Sequence, residues 1–194
     1  SITDCGRSRE NLNDLGRGYP MMIASWLSAQ YPELNLRFIN RGVSGDRVRN
    51  LRARWDEDCL KLNPTVVSIL IGINDCWRRY DRNDPTSPEE FERDYRYILD
   101  QVKEHTSARI ILCEPFVLPV PEDRRAWRED LDPKIHVVRD LAREFNALLL
   151  PLDGIFSSAS TLREPEFWAP DGVHPTQAGH ALITREWLKL VRCI

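Results

Sequence analysis

Four short runs of aliphatic residues punctuate the chain, and each has the length and composition of a β-strand. They are residues 34–40 (LNLRFIN), 65–72 (TVVSILIG), 108–114 (ARIILCE) and 146–152 (NALLLPL). The second and third runs are apolar on both faces, as expected for strands that are covered by helices on either side of a sheet. The pattern therefore predicts a sheet whose central strands are buried.

Between these runs, apolar residues recur at helical spacing. In residues 20–31, Pro20 suits a first helical turn and the apolar side chains form one stripe. Residues 46–61, 88–104 and 133–145 and a last helix after Pro175-Thr176 follow the same habit. Alternating strands and helices predict right-handed crossovers and a parallel sheet. We therefore expect residues 1–194 to form a single domain, a three-layer α/β/α sandwich.

One stretch, residues 119–133 (PVPEDRRAWREDLDP), lacks this regularity. It is charged and flanked by prolines, which predicts a surface loop with one helical turn. A solvated excursion accounts for such a loop more readily than a lid over a substrate does.

Composition limits the classes of partner. The chain has 27 Lys and Arg against 30 Asp and Glu, a net charge of −3, with no basic cluster that would indicate nucleic-acid binding. No apolar run approaches the ~20 residues that a membrane span needs. Five cysteines without a CxxC pair indicate neither a disulfide framework nor a zinc site. Reduced cysteines predict a cytoplasmic protein, and a small neutral partner is the easiest to accommodate.

The candidate chemistry lies in the turns after the strands, because ligands of open parallel sheets bind beyond the carboxyl ends of the strands. Of the four histidines, His174 alone follows an Asp-Gly-Val turn. The Asp171 carboxylate could accept a hydrogen bond from His174 Nδ1 and leave Nε2 as a general base. An ordinary helix-capping turn explains the same four residues equally well.

Two further turns offer hydrogen-bond donors for an oxyanion. In NRGVSGDRV, the Gly45 N–H could point into a cleft at the start of the next helix, and in GINDCWR the Asn74 side chain directly follows a buried strand. A turn that needs positive φ would also explain Gly45, and an Asx turn would explain Asn74.

Taken together, Ser-Ile-Thr-Asp, N-x-G-x-x-G, G-x-N-D and D-x-x-H-P occur in the order of the blocks of the SGNH, or GDSL-type, hydrolases, and the whole chain resembles that family. The resemblance implies a flavodoxin-like strand order and a serine esterase. It makes Ser1 the nucleophile and an oxyanion donor, and Gly45 and Asn74 the other donors. His174 would be the base and Asp171 its orienting acid. No metal or organic cofactor is required.

The first block departs from the family pattern. In the family a Gly-Asp pair precedes the serine at the end of an interior strand, and neither the pair nor the strand stands before Ser1. We expect such a strand to precede Ser1 in the full polypeptide. Two readings from other classes stay open: an N-terminal-nucleophile hydrolase that uses the α-amine of Ser1 as its base, and a non-catalytic flavodoxin-like binding module.

The runs SITDCGR and GINDCWR resemble the branch of the family that deacetylates carbohydrates such as xylan. Trp77 and Trp168 would then offer stacking faces to an oligosaccharide, with Arg78 beside them, although Trp77 could equally belong to the core or to a subunit contact. A generic lipolytic esterase or lysophospholipase is the alternative. If Trp55, Trp127 and Trp168 are exposed, they favour a homo-oligomer.

Overall fold

Three parallel strands form the sheet in the computed structural model, which describes residues 1–193. The central strand, β2 (Arg109–Cys113), pairs with β1 (Val66–Leu70) on one side and with β3 (Leu148–Leu150) on the other. The register places Val66 opposite Arg109. These strands confirm three of the four predicted runs.

Helices cover both faces of this sheet. Within the described residues they are α1 (Tyr19–Gln30), α2 (Val48–Asp58), α3 (Ile73–Arg82), α4 (Pro88–His105), α5 (Arg128–Glu144), α6 (Leu152–Ala159), α7 (Pro165–Trp168) and α8 (Gln177–Leu190). One apolar cluster joins α1, α6 and α8 to the sheet, and a second joins α2, α4 and α5 to it. Two apolar layers on one sheet make a three-layer α/β/α sandwich, which confirms the predicted fold class.

The predicted strand at residues 34–40 is wrong. Pro32–Leu34 form a short 3₁₀ turn, residues 35–43 form no strand, and Leu36 is exposed. A strand exists only when its backbone pairs with a neighbour. Within residues 1–193, β1 is paired on one side alone, and its residues line a cleft of about 700 Å³ together with residues 34–43. No ladder bridges that cleft.

The predicted loop at residues 119–133 is also wrong. Glu122–Trp127 form a 3₁₀ helix that runs directly into α5, which begins at Arg128 rather than near residue 133. Trp127 and Leu131 are buried in an apolar cluster with residues of α3. Their spacing, continued by Ile135, is a helical stripe that the high local charge obscures.

Burial also corrects the argument for self-association. Trp127 is 2% exposed and Trp55 6% exposed, so neither is available as an exposed aromatic side chain. Only Trp168, which is partly buried, keeps some surface. None of the helices in residues 1–193 is long and apolar enough to cross a bilayer. A cytoplasmic location and a homo-oligomeric state stay predictions.

Candidate active site

The hydroxyl of Ser1 lies within hydrogen-bonding distance of a histidine that is far away in the sequence. Ser1 Oγ is 2.7 Å from His174 Nε2. A tight turn holds the serine, because the amide of Cys5 donates to the Ser1 carbonyl at 2.8 Å. Ser1 also lines the cleft next to residues 71–74, just beyond the carboxyl end of β1. The site therefore lies at the edge of the sheet where the sequence predicted it.

The Asp171 carboxylate fixes the tautomer of His174. Asp171 Oδ2 accepts a hydrogen bond from His174 Nδ1 at 2.6 Å, while Oδ1 accepts from the amides of Val173 at 3.0 Å and His174 at 2.7 Å. Partial burial alone would raise the pKa of Asp171, but these hydrogen bonds outweigh it and hold the pKa well below its usual range. With the proton on Nδ1, Nε2 is free to accept the Ser1 hydroxyl proton.

Close packing holds the turn that carries His174. At its second residue, Gly172, φ is +80°, and a Cβ there would lie 2.4 Å from the Val120 carbonyl oxygen and 2.6 Å from that of Leu118. The Leu118 amide donates to the Gly172 carbonyl at 2.8 Å. We call residues 117–127, which press on this turn, the strap. The strap leaves room for glycine only.

The turn that carries Gly45 is open by contrast. The Asp46 amide donates to the Val43 carbonyl at 3.2 Å, and φ of Gly45 is +87°. No atom lies within 4 Å of the position that a Gly45 Cβ would take. Across residues 1–193 no acceptor pairs with the Gly45 N–H. This amide is therefore available to an oxygen of a ligand.

Asn74 lies in the first turn of α3, directly after β1. Its side-chain nitrogen donates to the Asp46 carbonyl at 3.1 Å, and its side-chain oxygen accepts from Arg78 Nη2 at 3.3 Å. Because an amide nitrogen carries two hydrogens, one N–H remains for a ligand. The two bonds fix which way the amide faces and tie it to the Gly45 turn.

The neighbouring carboxylate, Asp75, holds the start of α2. It is fully buried and accepts from the Val48 amide, with distances of 3.3 and 3.2 Å to its two oxygens. Burial raises its pKa to about 7. Asp75 thereby fixes the helix that begins two residues after Asp46, behind the two predicted oxyanion donors Gly45 and Asn74.

Of the three predicted substrate residues, Trp77 is the one that lies beside the catalytic histidine. The centroids of its ring and of the His174 ring are 5.7 Å apart, with an angle of 50° between the planes. Trp77 also packs on Trp127, and the Arg124 guanidinium lies 5.3 Å from the Trp77 ring. Trp77 is partly buried, so part of its surface stays open to a ligand.

The other two predicted substrate residues have structural partners. Arg78 forms an ion pair with Asp81 in addition to its hydrogen bond with Asn74, so it supports a predicted oxyanion donor. The Trp168 indole N–H donates to the carbonyls of Ala159 at 3.1 Å and Arg163 at 3.3 Å. None of Trp77, Arg78 and Trp168 is among the residues that line the cleft.

Sequence reasoning missed two residues around the site. Arg124, in the strap, stacks on Trp127 at 4.0 Å and its Nε lies 3.3 Å from the Asp171 carbonyl. Asp4 is buried and accepts from the Ser44 amide at 2.7 Å. The stripe through Trp127 could have revealed the strap. Asp4 is the last residue of the Ser-Ile-Thr-Asp block, but sequence reasoning assigned it no role, because its partner lies forty positions away.

The remaining histidines lie outside the triad. His105 and His136 are exposed. His180 is buried on α8, where its Nδ1 accepts from the Tyr19 amide at 3.2 Å and burial lowers its pKa to about 4. Within residues 1–193, no group of three or more His, Cys, Asp or Glu side chains is arranged to hold a metal ion.

Comparison with known proteins places these features in a family. The sequence profile of the GDSL-like lipase/acylhydrolase family matches residues 1–182. An acetylxylan esterase from Geobacillus stearothermophilus is 38% identical over 197 residues, covering 97% of this chain and 89% of the relative.

Solved structures agree with the sequence comparison. A protein from Parabacteroides merdae, solved as a GDSL-like lipase, superposes with a TM-score of 0.94 at 35% identity and covers 100% of this chain and 93% of its own. The Geobacillus acetylxylan esterase superposes with a TM-score of 0.88 at 37% identity, covering 98% and 90%. Catalytic mutants of that esterase replace a serine, an aspartate or a histidine by alanine.

Proposed function

The chain belongs to the GDSL-like lipase/acylhydrolase family and is a carboxylic ester hydrolase, and from this premise we propose that it removes acetyl groups from carbohydrate. Ser1, His174 and Asp171 form the triad in this proposal. The observation that carries the proposal is the unbroken chain of hydrogen bonds from Ser1 Oγ through His174 to Asp171, with distances of 2.7 and 2.6 Å.

In the first half of the reaction, His174 Nε2 takes the Ser1 hydroxyl proton while Oγ attacks the ester carbonyl. Asp171 stabilises the imidazolium that forms. The tetrahedral oxyanion is held by the N–H of Gly45, the side chain of Asn74 and the backbone nitrogen of Ser1. Collapse of this intermediate breaks the ester C–O bond, and His174 returns the proton to the leaving alcohol.

In the second half, water replaces the alcohol. His174 Nε2 deprotonates the water as its oxygen attacks the acyl-enzyme carbonyl, and the same oxyanion donors hold the second tetrahedral intermediate. Its collapse releases acetic acid and returns the proton to Ser1 Oγ. A triad with an ordered base accounts for this cycle. An N-terminal amine acting as base would leave the contact between Ser1 and His174 without a role.

Two observations support acetylated carbohydrate as the substrate. The Geobacillus relative, which aligns with nearly the whole chain, is an acetylxylan esterase. In addition, Trp77 places a partly open aromatic face next to His174, where it can stack on a sugar ring. Trp77 is the substrate-contacting residue in this proposal. Arg78 and Trp168 are left out of it because their polar groups are used within the protein.

The test is covalent labelling followed by turnover. We expect a fluorophosphonate probe to modify Ser1, as read by peptide mass, and labelling to be lost in both Ser1→Ala and His174→Ala. Ser157→Ala, at an exposed serine on α6, is the matched control. Turnover should be faster on acetyl than on octanoyl esters, and acetylated xylo-oligosaccharides should release acetate. Preference for octanoyl esters would favour a generic lipolytic esterase instead, and full labelling of His174→Ala would exclude the triad.

A further inference from the structure

Asp4 connects the turn of the nucleophile to the turn that carries Gly45. Its carboxylate is buried, and Oδ2 accepts hydrogen bonds from the Ser44 amide and from Arg9 Nη2, both at 2.7 Å. Bonds from an amide to a carboxylate are charge-assisted and stronger than bonds to a neutral acceptor. The tie therefore fixes Ser44 firmly relative to the Ser1 turn.

The direction of the Gly45 N–H depends on the position of Ser44. Residues 43–46 form a β-turn with positive φ at its third residue, Gly45, which is the arrangement of a type II turn. The Gly45 N–H belongs to the central peptide of this turn. In a type I turn that peptide is flipped, so its N–H points in a different direction. An anchor on Ser44 therefore controls where the oxyanion donor points.

Other contacts between the two segments stop short of Ser44. The Asn40 side chain donates to the Thr3 carbonyl at 2.6 Å, and Arg7 Nε donates to the Gly42 carbonyl at 2.8 Å. These bonds hold residues 40–42, before the turn begins. Asp4 alone among these contacts reaches into the turn itself.

Building on the proposed esterase function, we propose that Asp4 is a positioning residue that fixes the direction of the Gly45 N–H in the oxyanion hole. It lies three residues after the nucleophile, and it binds the peptide N–H of Ser44, which directly precedes the peptide that carries the Gly45 N–H. Asp4 thereby keeps nucleophile and oxyanion donor at a constant separation without touching the substrate.

The test compares Asp4→Ala with Asp4→Asn in the full chain, with kcat normalised to sites that react with the fluorophosphonate probe. A misplaced donor should lower kcat of Asp4→Ala about 10- to 100-fold and leave KM unchanged. Asp4→Asn keeps an oxygen acceptor for Ser44, so most of this loss should be restored, leaving kcat about threefold below wild type. Amide hydrogen exchange at Ser44 should be faster in Asp4→Ala.

Asp14→Ala is the matched control, because Asp14 also accepts from two backbone amides in a nearby loop, those of Ser8 and Gly16. Its kcat should equal that of wild type. Wild-type kcat in Asp4→Ala would overturn the proposal. If Asp4→Ala does not fold, wild-type kcat together with wild-type amide hydrogen exchange at Ser44 in Asp4→Asn would overturn it. A rise in KM alone would also overturn it. A wild-type protein without turnover or labelling would instead refute the esterase function and this role together.

Discussion

The turn that carries His174 and the turn that carries Gly45 belong to the same candidate site, but they are held by different means. At Gly172 the strap leaves no room for a Cβ, whereas at Gly45 the same position is empty. A base must keep one orientation, so it can be enclosed by packing. An oxyanion donor must meet a ligand that comes and goes, so its turn is held from behind by hydrogen bonds to Asp4 and Asn74.

The carboxylates behind the two turns also differ in their response to pH. Hydrogen bonds hold the pKa of Asp171 below its usual range, so its contribution to stability is present above about pH 4 and is lost in acid. Asp75 is fully buried, and this burial raises its pKa to about 7 despite the hydrogen bond from Val48. Ionisation of Asp75 therefore destabilises the folded state, and this loss of stability grows as the pH rises.

The largest effect that would sharpen the comparison is expected from Asn74→Ala. Losing one preorganised donor should lower kcat by ~10²- to 10³-fold and leave KM nearly unchanged, because the donor acts mainly on the transition state. Steady-state kinetics on an acetyl ester measure both constants. Asn13→Ala, at an exposed asparagine, is the control. Turnover of Asn74→Ala within twofold of wild type would remove Asn74 from the oxyanion hole.

The next effect concerns stability and distinguishes the two carboxylates. Above about pH 4 the unfolded chain ionises Asp75, while the folded chain keeps it protonated up to about pH 7. The folded state then binds more protons, so the contribution of Asp75 to the free energy of unfolding falls as the pH rises through this window. Asp75→Asn should remove a decline on the order of 4 kcal/mol between pH 4 and pH 8.

Urea unfolding at several pH values measures this decline, and Asp100→Asn, at an exposed carboxylate on α4, is the control. The asparagine oxygen can still accept from the Val48 amide, so the variant should fold. Parallel stability curves for wild type and Asp75→Asn would contradict the assigned pKa.

Gly172→Ala tests whether packing really encloses the turn of the base. The added methyl would lie 2.4 Å from a carbonyl oxygen at a residue with φ of +80°, so we expect a loss of at least ~2 kcal/mol in the free energy of unfolding. Gly154→Ala is the matched control, because it lies in α6 with no atom within 4 Å, and it should gain ~0.5–1 kcal/mol. Equal free energies of unfolding for the two variants would show that the strap moves to accommodate the added methyl group.

Sequence patterns recovered those parts of the fold that depend on local periodicity. The three strands of the sheet and the order of the four site blocks are examples, because apolar runs and turn residues are read within a few positions. The prediction of a strand at residues 34–40 failed because a strand also needs a partner. Here the cleft separates these residues from the edge of β1 that faces them. The prediction of a surface loop at residues 119–133 failed because the charged residues there concealed the burial of Trp127.

Side-chain direction is the other information that the sequence lacked. Trp77 and Arg78 are adjacent in the sequence, and both were predicted to contact substrate. On α3 they point to different neighbours: Trp77 towards His174, and Arg78 back towards Asn74. Residues i and i+4 of a helix lie on one face, which explains why Arg78 meets Asn74.

The smallest expected effect follows from this difference. In Arg78→Gln the weakened bond to the Asn74 oxygen should lower kcat about 3- to 10-fold without changing KM, because Arg78 orients a donor that acts in the transition state. Asp81→Asn breaks the ion pair of Arg78 but leaves that bond in place, so its kcat should exceed that of Arg78→Gln. Arg82→Gln, at the exposed end of α3, should match wild type. A raised KM with unchanged kcat in Arg78→Gln would instead indicate that Arg78 contacts the substrate. Its hydrogen bond to Asn74 would then not be needed to orient the oxyanion donor.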